Sequence, residues 1–113
     1  MHELSLCEGI LRVIEEQAAE HRYSSVKAVW LEVGALAGVE VEALRFGFDV
    51  VMRDSIASGA RLEILAIAGQ AWCMQCSKNV VITQRFDSCS ECGSYKLRVT
   101  GGEELRIREL EVV

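Results

Sequence analysis

Apolar residues recur at helical spacing near the start of the chain. Leu4, Cys7, Leu11, Ile14 and Ala18 step by threes and fours, and Ile10 widens the stripe. Glu8, Arg12, Glu15, Glu16, Gln17 and Glu20 fill the polar side. The pattern predicts an amphipathic helix over residues 4–21, closed by His21 to Ser25. Ser5 and Glu8 have capping-box spacing, but Leu4 already belongs to the stripe, so the start is placed near residue 4. Residues 26–33 then alternate with period two, placing Val29, Leu31 and Val33 on one face and Val26, Ala28 and Trp30 on the other. Gly34 and Gly38 bracket a turn. A second helix is expected over 40–53, with Val41, Leu44, Phe48 and Val51 on one face. A second strand follows over 60–67. Residues 103–113 alternate again, but the apolar phase slips between Ile107 and Leu110, which predicts a bulge or sharp bend near Arg108-Glu109.

The order is α-β-α-β, a cysteine-bearing stretch, then β. A three-stranded sheet covered on one face by two helices would bury both helical stripes. The expected fold is therefore α+β, with a small ribbon inserted before a last strand that returns to the main sheet. The domains expected are 1–69 plus 102–113, and 70–101.

Composition narrows the class. Of 113 residues, 50% are hydrophobic, enough for a packed core. The net charge of −5 and the lack of a clustered basic surface disfavour nucleic-acid binding. No apolar run approaches the ~20 residues of a membrane span. Residues 1–8 lack the basic and apolar regions of a secretory signal, so a cytoplasmic location is expected. Five cysteines, an odd number, fit a reducing compartment.

Four of those cysteines form Cys73-x2-Cys76-x12-Cys89-x2-Cys92. Two intervening residues let a tight turn aim both sulfurs at one point. Two such turns supply the four thiolates that tetrahedral Zn²⁺ prefers, at ~2.3 Å. Gly93 permits the positive φ that closes the second turn. Few apolar residues surround the pairs, so a metal would replace the missing core. A closed four-thiolate shell leaves no open position, and the zinc is expected to be structural. A redox role is disfavoured because neither pair precedes a predicted helix. Cys7 lies in the helical stripe and is read as core.

The chain begins Met1-His2-Glu3. A free α-amine, deprotonated backbone nitrogens and one imidazole can surround a cation in a plane, a geometry suited to Ni²⁺ or Cu²⁺ and poor for Zn²⁺. Histidine at position two is too bulky for ready removal of Met1, so the amine of Met1 is expected to persist. His21, the other histidine, has no ligand neighbour at helical spacing and reads as a solvated helix end.

Met1-His2-Glu3-Leu4-Ser5-Leu6-Cys7, Trp30-Leu31-Glu32-Val33-Gly34-Ala35-Leu36, Val39-Glu40 and Leu44-Arg45-Phe46-Gly47-Phe48-Asp49, followed by the two cysteine pairs, resemble the HypA/HybF family of nickel metallochaperones in [NiFe]-hydrogenase maturation. The resemblance runs over the whole chain. It implies a nickel domain of two helices on a small sheet, with a zinc domain inserted before the last strand. It also implies Ni(II) bound at the N-terminus by the His2 side chain and the main-chain nitrogens of Met1, His2 and Glu3. Glu40 matches an acidic position beside that site where related chains carry aspartate; read from the sequence, it is a helix N-terminal carboxylate favoured by the dipole. The implied partners are a nickel-binding maturation GTPase and the hydrogenase large subunit precursor. No Ser–His–carboxylate arrangement, phosphate loop or open hydrolytic metal site stands out, and no enzymatic activity is expected. The alternative is a zinc-ribbon module binding protein or RNA, for which Lys78, Arg85, Lys96 and Arg98 supply local positive charge. The long excursion to the last strand also permits a strand-exchanged homodimer.

Overall fold

The computed structural model describes residues 2–113. Among them are helices α1 (His2–His21) and α2 (Val41–Met52), and strands β1 (Val26–Gly34), β2 (Arg61–Ile67), β3 (Gly69–Cys73), β4 (Lys78–Ile82), β5 (Leu97–Gly101) and β6 (Leu105–Val112). The α-β-α-β-ribbon-β order read from the sequence is the order observed. Strands form two three-stranded sheets, ordered β2-β1-β6 and β4-β3-β5.

Helix α1 starts two residues before the apolar stripe does. Glu3 places a carboxylate in its first turn, where the helix dipole favours it. Ser5 therefore lies inside the helix, and its capping-box spacing goes unused. Cys7, Ile10 and Ile14 are buried, while Leu4, Leu11 and Ala18 are half-buried, so the buried seam is narrower than the stripe. The helix closes on Arg22, in the left-handed region at φ 61, whose N–H donates to the Ala18 carbonyl at 2.8 Å.

Helix α2 is capped by Glu40. Its backbone is extended, and its carboxylate accepts from the Ala43 N–H at 2.8 Å. The buried face is Leu44, Gly47, Phe48 and Met52. Val41 and Val51, expected on that face, are half-buried. Gly47 sits where α1 passes: a Cβ there would meet the Cys7 sulfur at 3.4 Å and Leu4 at 3.6 Å.

In the β2-β1-β6 sheet, β1 is central. Val26, Ala28, Val29, Leu31 and Val33 are all buried. Trp30 is half-buried beneath the Arg61 guanidinium, 5.6 Å from the ring centroid. Along β6, Leu105, Ile107 and Leu110 are half-buried between exposed Arg106, Arg108, Glu109 and Glu111. Burial thus slips phase between Ile107 and Leu110, where the sequence pattern slips.

By packing, the chain divides into Met1–Leu31, Val39–Ile64 and Ile107–Val113 on one hand, and Glu32–Gly38 and Leu65–Arg106 on the other. The second unit holds the ribbon. There β3 pairs antiparallel with β4, from Gly69 opposite Ile82 to Cys73 opposite Lys78, and with β5, from Cys73 opposite Leu97. Its core is Leu36, Ala71, Cys73, Val80, Ile82 and Cys89, flanked by Cys76, Leu97 and Val99. Within this unit the Leu36 N–H donates to the Gly102 carbonyl at 2.7 Å. Gly102 adopts φ 85, and a Cβ on Gly34 would run into its carbonyl.

Candidate functional site

The two Cys-x-x-Cys turns are built alike. In the first, Cys73 ends β3, the Cys76 N–H points at the Cys73 sulfur at 3.4 Å, and the Ser77 N–H donates to the Cys73 carbonyl at 2.8 Å. In the second, the Glu91 N–H points at the Cys89 sulfur at 3.4 Å, and the Gly93 N–H donates to the Cys89 carbonyl at 2.8 Å. The residue after each pair is left-handed: Ser77 at φ 55 and Gly93 at φ 76. The expected role of Gly93 is observed. Ser77 does the same job at the first turn without being glycine, so composition did not flag it.

The turns bring four sulfurs together, all within 4.8 Å of one another. Cys73 and Cys92 are 3.6 Å apart, and Cys76 and Cys89 are 3.9 Å apart. A tetrahedron with ~2.3 Å metal–sulfur bonds has edges of about 3.8 Å. A disulfide needs about 2.05 Å, and all five cysteines are free. The donor set and spacing fit Zn²⁺. Without a cation the four sulfurs share charge unequally. The backbone N–H groups of Cys92 and Glu91 draw the Cys89 thiol down to about 7. The hydrogen-bonded Cys92 sulfur pushes Cys76 up to about 12. Cys73 and Cys89 are buried and Cys92 is exposed. The Lys78 ammonium reaches across to Glu91, tying the two turns together at the surface.

Cys7 stands apart from this cluster. It is fully buried, and its thiol lies 3.5 Å from the Leu44 carbonyl. Burial pushes it up to about 11. It is a packing residue, as the sequence pattern indicated.

At the other candidate site, His2 is exposed on the first turn of α1. Met1, whose amine the sequence offers as a ligand, lies outside the described residues. The N–H groups of the first helical turn have no acceptor in the backbone of the helix, and that of Glu3 donates to the Glu3 carboxylate. Glu3 has a side-chain role that the sequence did not reveal. Its carboxylate accepts from the Glu40 N–H at 3.2 Å, which holds it below the usual glutamate range. Glu40 in turn caps α2. The starts of both helices are therefore linked through the carboxylate of Glu3, the residue after His2. The position at the start of α2 is the one the dipole argument assigned to Glu40. His21, at the far end of α1, is exposed.

Residues 1–112 match the model of a family described as hydrogenase/urease nickel incorporation, metallochaperone, HypA. The chain belongs to the HypA family. Its curated relatives include the hydrogenase maturation factor HypA of Azotobacter chroococcum mcd 1, 60% identical over 112 residues and 99% of each chain. That of Alkalilimnicola ehrlichii is 59% identical, again over 99% of both. The fold matches the solution structure of the Ni metallochaperone HypA from Helicobacter pylori, with a TM-score of 0.72 at 21% identity, covering 98% of this chain and 97% of the other. A second HypA solution structure gives a TM-score of 0.73 at 23% identity. HypA proteins are nickel metallochaperones of hydrogenase maturation, and the four-cysteine cluster here fits the family's structural zinc. No helix among the described residues is long and apolar enough to cross a membrane.

Proposed function

We propose that this chain carries Ni(II) to the large subunit of a [NiFe]-hydrogenase in the cytoplasm, working with a nickel-binding maturation GTPase. The reading makes it a carrier and not an enzyme. Nickel would be held by the His2 imidazole and the main-chain nitrogens of Met1, His2 and Glu3. The single observation that supports it most is the placement of His2. It is exposed on the first helical turn, where backbone N–H groups lack acceptors in the helix backbone, and the next residue, Glu3, accepts from the Glu40 N–H at the start of α2. Planar nitrogen ligation needs free backbone nitrogens, and a helix interior cannot offer them. Zinc at Cys73, Cys76, Cys89 and Cys92 would order residues 70–101 as a ribbon presented to partners. The helical domain, 1–69 plus 102–113, would carry the nickel.

The test is a nickel titration of untagged, zinc-loaded protein beside His2→Ala. Wild type should bind about one nickel per chain with a planar d–d spectrum. His2→Ala should lose that band and keep its fold, because His2 adds nothing to the buried seam of α1. A cell carrying His2→Ala should lose hydrogenase activity at limiting nickel and regain part of it when nickel is in excess. A planar nickel spectrum unchanged in His2→Ala would move the site elsewhere in the chain. A hydrogenase defect that nickel never relieves would favour the interaction-module reading of the ribbon.

A further inference from the structure

In the ribbon, β5 is an edge strand: in the order β4-β3-β5 it has a neighbour on one side only. The Met74 N–H donates to the Lys96 carbonyl at 3.1 Å, so Lys96 turns its backbone toward β3. Backbone direction alternates along an antiparallel pair, and here Trp72 faces Arg98 while Ala71 faces Val99. Arg98 therefore directs its N–H and C=O at β3, and Val99 directs its own at the open side. The Leu97 carbonyl also points outward, whereas the Leu97 N–H already donates to the Tyr95 carbonyl at 2.9 Å.

Side chains alternate along the same segment. Leu97 and Val99 are half-buried against the ribbon core. Beside them is a notch of about 170 Å³, lined by Ile82, Leu97 and Val99 together with the rings of Phe86 and Tyr95. Those two residues are 93% and 76% exposed. Phe86 also holds a left-handed backbone at φ 71, a strained conformation for a residue with a bulky side chain. The Asp87 carboxylate, accepting from Thr83 and Gln84, fixes the loop that presents it.

On the opposite face, Lys96 and Arg98 are exposed, and among the described residues their side chains have no ion-pair partner. Lys78 and Arg85, the other cations of residues 70–101, are already paired with Glu91 and Glu103. Cations on an edge strand deter pairing with a like-charged strand, and the same charges select an oppositely charged one.

We propose that the open edge of β5 binds an extended segment of a partner protein in which acidic and apolar residues alternate. The segment adds as an antiparallel strand, meeting the Val99 N–H and the carbonyls of Leu97 and Val99. Its apolar residues, opposite Leu97 and Val99, fill the notch beside Phe86 and Tyr95. Its acidic residues, opposite Lys96 and Arg98, neutralise them. In this chain Glu109-Leu110-Glu111-Val112 has such an alternation, but it is already held in β6 of the other sheet, so the occupant is a strand of another protein.

Fluorescence anisotropy on untagged, zinc-loaded protein tests it, with ribbon amide shifts read alongside. The probe is a short blocked peptide alternating glutamate with valine. It should bind saturably, more weakly as salt rises, and shift the amides of residues 96–101 first. Lys96→Glu/Arg98→Glu should raise its dissociation constant at least about tenfold and gain affinity for a lysine–valine counterpart. Val99→Pro removes the outward N–H and should weaken binding with zinc content unchanged. Should that variant misfold, Phe86→Gly suits φ 71, keeps the fold, and should weaken binding by removing one ring. A peptide that does not bind wild type at its highest soluble concentration would overturn the inference. So would equal binding of a peptide with the same residues in separate blocks, which would leave charge attraction without strand addition. Preference for an RNA oligonucleotide over the peptide would make the edge a nucleic-acid surface. Shifts at residues 96–101 on raising protein concentration alone would give the edge to a second copy, and either result rejects the proposal. No arm contains nickel, so the carrier reading stands or falls separately.

Discussion

Cys7 and the ribbon cysteines carry the same side chain in opposite settings. Cys7 is sealed between α1 and α2, and burial raises its thiol to about 11. Cys7→Ala should therefore leave one zinc per chain untouched and cost about 1–2 kcal/mol of stability, as a small buried group lost with partial relaxation. Zinc content and a denaturant titration would show both. Loss of the zinc would mean that Cys7 supports the ribbon. The structural role of Asp87 is a second residue-level case. Its carboxylate accepts from the Thr83 hydroxyl at 3.0 Å, the Thr83 N–H at 3.2 Å and the Gln84 N–H at 3.1 Å, which together hold it below the usual aspartate range. Depression of a folded carboxyl means that its contribution is present above the unfolded value and lost as pH falls through the folded one. The Thr83 and Gln84 amides should thus stay protected from exchange through ordinary acidic pH and open only below the normal aspartate range. Asp87→Ala, which leaves no acceptor, should lower their protection at every pH, and Asp87→Asn should remove its pH dependence. No titration of these amides in wild type would remove Asp87 from that role.

At the scale of elements, periodicity explains what could be read in advance. Helices α1 and α2 and strands β1 and β2 each repeat one period long enough to be recognised, and their ends fall within about two residues of expectation. The start of α1 moved because the dipole draws Glu3 into the first turn, a preference that the apolar stripe does not record. The buried face of α2 turned toward Gly47 and Met52 because α1 must approach closely, and only the packing partner reveals that. The four-cysteine site was legible from spacing alone, since two-residue turns constrain where sulfurs can go. The Glu3–Glu40 link was not, because it joins residues 37 apart through a backbone donor. The two cysteine turns make a matched pair for a test of backbone chemistry. Nothing lies within 4 Å of a Cβ built on Gly93, so a substitution there meets only the left-handed backbone at φ 76. Gly93→Val should cost about 1–2 kcal/mol and speed zinc loss to a chelator. Ser77→Gly, at φ 55, should hold zinc at least as long as wild type. Equal release rates for Gly93→Val and wild type would show that the turn does not need its conformation.

On the scale of the whole molecule, the two units rely on different forces. The unit made of Met1–Leu31, Val39–Ile64 and Ile107–Val113 buries Ile10, Ile14, Val26, Leu31, Leu44, Phe48 and Met52, an aliphatic and aromatic core without a metal ligand. The ribbon's core cluster has six buried members, and two of them, Cys73 and Cys89, belong to the four-sulfur cluster. Leu36 joins that core from outside the cysteine stretch, from the turn between Gly34 and Gly38. An apolar residue in a turn has no period, so its place in the ribbon was invisible in the sequence. A core this small loses its organising centre when the cation leaves, while burial of the aliphatic core is unaffected. Chelation of zinc under reducing conditions should therefore collapse the amide dispersion of β3, β4 and β5 while the far-UV helical signal persists. Replacing Cys73 and Cys92 by serine should reproduce that state. Readdition of zinc should restore the ribbon in the wild type only. A single cooperative loss of helix and ribbon together on chelation would show that zinc holds the helical unit as well. Stoichiometric zinc in the double variant would remove the metal from these sulfurs altogether.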